Sequence, residues 1–194
     1  MIAAVVGFLL LTAGVWAGLP IVVDTDAAVS AAVRYPAIQD VAQVVTHAGD
    51  PPLLAALCLI VVIALIRWRR WDEATFVVGA VAAGALFRWA VLPIIARVRP
   101  DTSYAENLGW AYPSGHALYS FTAAVVLLYL ALPLQRTRVE TMALFALVLL
   151  WPAAVGVSRA VLGAHWAGDV LGGWLLGATA VGMAAACSRS QLTK

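Results

Sequence analysis

The stretch "SRAVLGAHWAGD" (158–169) places Arg159, His165 and Asp169 close together between long runs of apolar residues. If a helix begins here, a carboxylate four residues after His165 shares its face and can accept a hydrogen bond from one ring nitrogen. The other ring nitrogen is then left to react. The planar guanidinium of an arginine suits phosphate oxygens. The stretch therefore predicts one half of a phosphate-transfer site.

A second candidate group is the stretch "YPSGH" (112–116). Pro113 suits the first turn of a helix, so that Ser114 and Gly115 would open it. The N–H groups and the positive dipole end of a helix N-terminus bind anions, and Gly115 lets an anion come close to the backbone. His116 would then stand beside the bound anion.

The third group is "ARVRPD" (96–101). Pro100 disfavours helical geometry at the residue before it, so a helix should end here with the guanidinium groups of Arg97 and Arg99 at the surface. For Arg97 alone, the ordinary interpretation is a cation at a helix end that reaches toward the membrane surface.

Together, the three groups suit phosphoryl transfer without a metal ion. One histidine would attack phosphorus, the cations would stabilise charge on the equatorial oxygens, and the second histidine would protonate the leaving oxygen. The sequence offers neither the outward-facing carboxylate cluster that a hard metal prefers nor a Cys/His set for zinc. We therefore expect no metal and no cofactor.

The elements that carry these groups are expected to cross a membrane. The 194 residues are 63% hydrophobic, whereas soluble domains are about 45–50% apolar. A net charge of +2 gives no reason to expect nucleic acid. The apolar runs predict an all-α, six-transmembrane-helix bundle in a single domain, 1–194, with spans near 2–22, 51–66, 74–97, 114–133, 141–158 and 168–187.

The segment between spans one and two is too polar to cross a bilayer. Its apolar residues recur at helical spacing and predict an amphipathic helix at the membrane interface: Val33, Ile38, Val41, Val44 and Val45. The first residues of the chain contain no Lys or Arg, which favours a retained first helix over a cleaved signal peptide.

The positions of the cations predict the orientation. Seven lie on one side, in 67–71, in 135–138 and at Arg189 and Lys194; the other side has four arginines and seven of the ten acids. An excess of cations marks the cytoplasmic face. We therefore expect a multi-pass protein of the plasma (inner) membrane, with both termini cytoplasmic and the loops 23–50, 98–113 and 159–167 outside.

These three groups resemble the three-part signature of the type-2 phosphatidic acid phosphatase superfamily, in its membrane lipid phosphatase branch. The resemblance rests on Arg99-Pro100, on 113–116, and on Ser158-Arg159 followed by His165 and Asp169. It implies a metal-independent hydrolase of a lipid phosphate or diphosphate, with its site at the extracytoplasmic face.

The resemblance also implies roles for individual residues. His165 would be the nucleophile that forms a phosphohistidine, Asp169 would orient it, and His116 would be the general acid. The phosphate would be held by Arg99, Ser114, Gly115 and Arg159. The substrate would come from the surrounding membrane lipids, and the sequence indicates no protein partner.

One departure from the signature is Leu92, where the family usually has a Lys seven residues before the arginine. Arg88 or Arg97 could supply the missing cation. An arginine in mid-span is costly unless it has a partner or a wet cavity, so Arg88 either reaches a polar cavity or pairs with backbone carbonyls. The tilt of helical side chains predicts that Arg88 points away from the outer surface.

The substrate stays open between polyprenyl diphosphate, phosphatidic acid, phosphatidylglycerol phosphate and diacylglycerol pyrophosphate. Two other functions would use the same residues. One is a lipid phosphotransferase that passes the phosphoryl group from His165 to a second lipid. The other is a catalytically silent phospholipid-binding membrane protein that has lost its chemistry through the change at Leu92.

Overall fold

The computed structural model describes residues 1–100 and 109–191, with side chains described up to Ser188. Parts of the predicted outer loop (101–108) and of the predicted cytoplasmic cations (the side chain of Arg189, and Lys194) lie outside the described residues. The described part is helical, with two short 3-10 helices (Pro36–Ile38 and Leu132–Leu134) and eight α-helices: α1 (Ile2–Trp16), α2 (Pro20–Val33), α3 (Gln39–His47), α4 (Pro51–Arg67), α5 (Trp71–Ile95), α6 (Gly115–Ala131), α7 (Arg138–Val161) and α8 (Ala167–Gln191).

The predicted membrane bundle is confirmed, and its first span differs from the prediction. Within the described residues, five helical segments are long and apolar enough to cross a bilayer, and α1 with α2 form a sixth candidate bent by 89°. The chain turns at Gly18, which has a φ of +59°, and Pro20 starts a new helix because its ring fits a first turn. Helix α1 therefore ends at Trp16, earlier than the predicted span near 2–22.

The segment between the first two spans contains a helix, as predicted. A helix does form over Gln39–His47, but its buried residues are Ala42 and Thr46, whereas Val41 and Val44 are exposed. Small residues let helices approach closely where the surroundings are as apolar as the core. Apolar periodicity therefore identified the outward face of α3, and the inward face packs on α7.

Helix α8 lies at the centre of the bundle and packs against α1, α5 and α6. Its glycines allow the close approach: a Cβ on Gly173 would lie 2.6 Å from the carbonyl oxygen of Ser114. At the same level the N–H of Ser114 donates to the carbonyl oxygen of Asp169, at 2.9 Å. The first turns of α6 and α8 are thereby joined, and both carry predicted site residues.

Candidate active site

His165 lies in the turn between α7 and α8. Gly163 has a φ of +65° and reverses the chain after α7, and the N–H groups of Ala164 and His165 donate to the carbonyl oxygen of Arg159 at 3.0 and 3.2 Å. Helix α8 begins only at Ala167. His165 and Asp169 are brought together by this turn, so the predicted shared helical face is wrong.

Asp169 is completely buried and stands behind the imidazole of His165. Its Oδ2 lies 3.5 Å from His165 Nδ1 and accepts a hydrogen bond from the N–H of Trp166 at 2.9 Å. Its Oδ1 accepts from Arg97 at 2.8 Å. The carboxylate is thus fixed on both sides and faces one particular nitrogen of the ring.

Arg99 contacts the other nitrogen of His165. Its NH1 lies 3.0 Å from His165 Nε2 and also donates to the carbonyl oxygen of Ala164 at 2.6 Å. Because a guanidinium can only donate, Nε2 is the acceptor and the ring proton belongs on Nδ1, toward Asp169. The lone pair of Nε2 therefore faces the arginine, which is where a phosphate would bind.

The buried position of His165 also affects its charge. Burial lowers the pKa of His165 to about 4, and the charges of Arg99 and Arg159 act in the same direction, while Asp169 opposes them. The ring is therefore neutral at physiological pH. A neutral imidazole with an unprotonated Nε2 is the form that can attack phosphorus.

Arg159 lies in the last turn of α7 and is buried in the site. Its NH1 donates to Thr46 Oγ1 at 2.9 Å, while its buried Nε has no hydrogen-bond partner within the described part of the chain. Arg159 interacts electrostatically with both His116 and His165. A donor left without a partner beside both histidines is suited to an anionic ligand.

Helix α6 begins where the sequence predicts, at Ser114 and Gly115. Ser114 is the N-cap residue and its side chain accepts a hydrogen bond from the N–H of Ala117, and Gly115 is the first helical residue. Arg88 reaches this turn from α5: its Nε donates to the carbonyl oxygen of Pro113 at 3.2 Å, and a Cβ on Gly115 would lie 3.1 Å from that Nε. The prediction that Arg88 points away from this surface is wrong, because its contact is lateral, onto the neighbouring helix.

His116 has a carboxylate partner that the sequence analysis missed. Its Nε2 lies 3.0 Å from Oδ1 of Asp50, and Oδ2 of the same carboxylate lies 2.9 Å from Nδ1 of His47. Asp50 is the N-cap residue of α4, whose first turn contains Pro51 and Pro52. The sequence signal was an acidic residue directly before two prolines, which marks a helix start without indicating a partner.

A buried ion-pair chain behind His165 was also missed. Asp26 of α2 is buried and accepts hydrogen bonds from Arg97 and from the N–H of Gly168, the latter at 2.7 Å. Although burial opposes it, the carboxylates of Asp169 and Asp26 raise the pKa of Arg97. The prediction that Arg97 reaches for the membrane surface is wrong. After α5 ends at Ile95, Ala96 takes a left-handed conformation, and Arg97 enters the protein interior.

The structure thus brings all of the predicted residues to one end of the bundle. Arg99 and Arg88 interact electrostatically, as do Arg99 and Arg159. Within the described residues, no three His, Cys, Asp or Glu side chains are arranged to hold a metal ion. The arrangement can bind a phosphate among cations and N–H groups, between a neutral histidine and a carboxylate-bound histidine.

This bundle and this site define a class, the multi-pass membrane phosphatases that act on lipids. The model of the "PAP2 superfamily" matches residues 91–192, which is more than half of the chain and contains all three predicted groups. The chain belongs to the PAP2 superfamily, and the family expected from the sequence signature is confirmed.

Relatives extend the similarity beyond the matched half. Phosphatidylglycerophosphatase B of Bacillus subtilis is 28% identical over 177 residues, which cover 88% of this chain and 85% of that protein. A crystal structure of a transmembrane PAP2-type phosphatidylglycerolphosphate phosphatase from Bacillus subtilis is 25% identical, with a TM-score of 0.79 over 97% of this chain and 96% of that one. An undecaprenyl-diphosphatase of Sulfolobus acidocaldarius is 41% identical over 68 residues, 35% of this chain and 29% of that protein.

Proposed function

We propose that this protein hydrolyses a lipid phosphomonoester through a phosphohistidine on His165, without a metal ion, at the extracytoplasmic face of the membrane. The observation that carries the proposal is the environment of His165. Its Nε2 lies 3.0 Å from a guanidinium suited to phosphate, and its Nδ1 faces Asp169 at 3.5 Å. A nucleophile fixed in one tautomer beside an anion-binding group is arranged for in-line attack.

In the first step, Nε2 of His165 attacks phosphorus, and His116 protonates the leaving lipid alcohol. Arg99, Arg159 and the N–H groups at Ser114 and Gly115 would stabilise the charge that develops on the phosphoryl oxygens. Arg88 lies against Gly115 and adds a cation beneath that turn. In the second step, water attacks the phosphohistidine and phosphate leaves.

For the substrate, we propose phosphatidylglycerol phosphate. Two observations support it. The relatives that match this chain almost from end to end act, by their names, on that lipid. An apolar cavity of about 340 Å³ between α4, α5 and α6 begins beside the general acid, where Pro51 follows Asp50 and Tyr119 lies one helical turn from His116. A cavity of that kind suits an acyl chain whose headgroup is at the site.

The experiment is phosphate release by detergent-purified protein in the presence of a chelator. Phosphatidylglycerol phosphate, phosphatidic acid and undecaprenyl diphosphate are offered side by side, with His165→Ala as the inactive variant. We expect release that the chelator does not reduce, fastest with phosphatidylglycerol phosphate, and absent from the variant. Labelled substrate should leave an acid-labile, alkali-stable phosphoryl group on the wild-type protein and none on His165→Ala.

Other results would contradict specific parts of the proposal. A faster reaction with undecaprenyl diphosphate would replace the substrate and keep the mechanism. Release that depends on an added acceptor lipid would indicate the phosphotransferase. Binding without turnover by folded protein would indicate the catalytically silent lipid-binding protein. Activity retained in His165→Ala would exclude the phosphohistidine.

A further inference from the structure

The histidine expected to act as the general acid is held by a carboxylate from another part of the fold. Asp50 comes from the start of α4, and its Oδ1 lies 3.0 Å from Nε2 of His116 in the first turn of α6. The second oxygen of the same carboxylate is held by His47 at 2.9 Å, so the carboxylate is fixed on both sides. The side chain of His116 is only 16% exposed, whereas that of His47 is 64% exposed.

We propose that Asp50 is the positioning residue for the general acid. It accepts the Nε2 proton of His116, which directs the Nδ1 proton toward the leaving oxygen of the lipid alcohol. This inference rests on the proposed phosphohistidine mechanism. It adds that the leaving group of the substrate must need a proton. Asp50 and His116 together protonate leaving groups that are poor without a proton, which are the alkoxides released from phosphate esters of alcohols.

The surrounding charges explain why such a partner is needed. Arg159 from α7 and Arg88 from α5 interact electrostatically with His116, and both positive charges act against an imidazolium. Asp50 is the carboxylate that faces His116 and supplies its counter-charge. Arg159 and His47 are the other charged or titratable groups that interact with Asp50. A carboxylate hydrogen-bonded to one ring nitrogen stabilises the imidazolium and orients the ring.

The protons balance over the catalytic cycle. As the bond from phosphorus to the lipid oxygen breaks and the bond to His165 forms, the alkoxide takes the Nδ1 proton of His116. His116 is then neutral. When water attacks the phosphohistidine, His116 takes a proton from that water, the phosphorus–nitrogen bond breaks, and phosphate leaves. Asp50 stays ionised throughout, and no further proton donor is required.

The test compares two substrates with different leaving groups. Dioleoyl phosphatidylglycerol phosphate loses an alkoxide, which needs a proton, whereas 4-dodecyl-2-nitrophenyl phosphate loses a stable phenolate, which does not. Asp50→Asn is compared with the wild-type protein and with Asp40→Asn, the same charge change at an exposed residue of α3. For the aryl ester, the first turnover is followed by rapid mixing, because the later water step also uses His116.

We expect Asp50→Asn to lower kcat for the phospholipid by about 10- to 100-fold with little change in KM, because general acid catalysis contributes about 10²- to 10⁴-fold. The first-turnover release of nitrophenolate should stay within about threefold of the wild-type rate, since that step needs no proton. Asp50→Glu should recover part of the loss, and Asp40→Asn should show none.

Equal losses on the two substrates would overturn the proposal, because they indicate a general distortion of the site. An unchanged kcat for the phospholipid would overturn it as well. If Asp50→Asn does not fold, His47→Ala removes only the second contact of the carboxylate and should give a smaller loss of the same selective kind. Wild-type protein that forms no phosphoenzyme with either compound would instead contradict the proposed function.

Discussion

The chemistry of His165 depends on how it is buried. The ring is in the interior, with an acceptor nitrogen toward Arg99 and the other nitrogen toward Asp169. Burial opposes a positive charge on the ring, and so do the nearby arginines, whereas Asp169 favours it. Because burial and the two arginines outweigh Asp169, His165 stays unprotonated under acidic conditions in which an ordinary histidine would be charged.

We therefore predict that His165 titrates with a midpoint near pH 4, the value to which burial lowers its pKa. The chain has three histidines, so histidine-labelled protein in detergent should give three resonances, and the resonance that disappears in His165→Gln should be one that titrates near pH 4. Asp169→Asn removes the group that raises this pKa and should shift the midpoint further down. A His165 midpoint at an ordinary histidine value would contradict the burial argument. With the predicted midpoint, the neutral form of His165 is lost as pH falls through about 4, and the rate of phosphate release should fall with it.

Asp26 is connected to His165 through two other residues. It binds Arg97, Arg97 binds Asp169, and Asp169 faces His165, so the three charges form one buried chain. Removing one member of a buried ion pair leaves an uncompensated charge, which is more costly than the pair is favourable. Without Asp26, Arg97 would have Asp169 as its remaining ion-pair partner within the described residues and would draw that carboxylate away from the ring.

We predict that Asp26→Asn lowers the free energy of unfolding by about 3 kcal/mol. It should also lower kcat by about 10- to 100-fold through misplacement of Asp169, with KM nearly unchanged. Asp24→Asn is the matched control, because Asp24 is exposed on the same helix. Phosphate release and thermal unfolding in detergent measure the two effects. Equal behaviour of the two variants would show that the ion-pair chain does not support the site.

At the scale of the helices, the site depends on the close approach of α6 and α8. The Cα of Gly173 faces the first turn of α6, and a Cβ there would also lie 2.9 Å from the Cβ of Ala117 and 3.0 Å from the backbone nitrogen of Leu118. Backbone atoms cannot move aside as a side chain can. Any larger residue must therefore separate the turn at Ser114 and Gly115, which we propose binds phosphate, from the helix that carries Asp169.

We predict that Gly173→Ala lowers the free energy of unfolding by about 1–3 kcal/mol, as overpacking of a close contact does. Activity should fall more than the stability change explains, because the hydrogen bond from Ser114 to Asp169 spans the same gap. Gly79→Ala is the matched control, since a Cβ there would lie 3.5 Å from the Cβ of Ala184, an ordinary contact between α5 and α8. Identical thermal unfolding and activity of the two variants would contradict the argument.

The sequence predicted what is local and missed what is brought together by the fold. Apolar run length predicted the long helices, and Pro100 predicted that α5 ends shortly before it. Asp26 and Asp50 could not be predicted as site residues, because their partners Arg97 and His116 are distant in the chain. The face of α3 that packs on α7 was not predicted, because its buried residues, Ala42 and Thr46, do not belong to the predicted apolar set.

At the scale of the whole molecule, the two ends of the bundle differ in how their arginines are used. At the site end, Arg97, Arg99 and Arg159 hydrogen-bond to groups inside the protein. At the other end, the stretches "RWRR" (67–70) and "QRTR" (135–138) lie in the connections between α4 and α5 and between α6 and α7, together with one flanking helix residue each. Cations in short connections orient a membrane protein with that side in the cytoplasm. We infer that the site end faces outward.

We therefore predict the side on which introduced cysteines react, in protein whose own Cys58 and Cys187 are replaced by alanine. Asp40→Cys lies in α3 at the site end, and Asp72→Cys lies at the start of α5 at the opposite end; both positions are exposed. A membrane-impermeant maleimide should label Asp40→Cys in intact cells and Asp72→Cys only after permeabilisation. Each variant must first retain phosphatase activity, so that labelling reports the native orientation.

The reverse labelling pattern would place the site at the cytoplasmic face of the membrane. Phosphate would then be released there, and the lipid phosphate would have to be supplied from the inner leaflet.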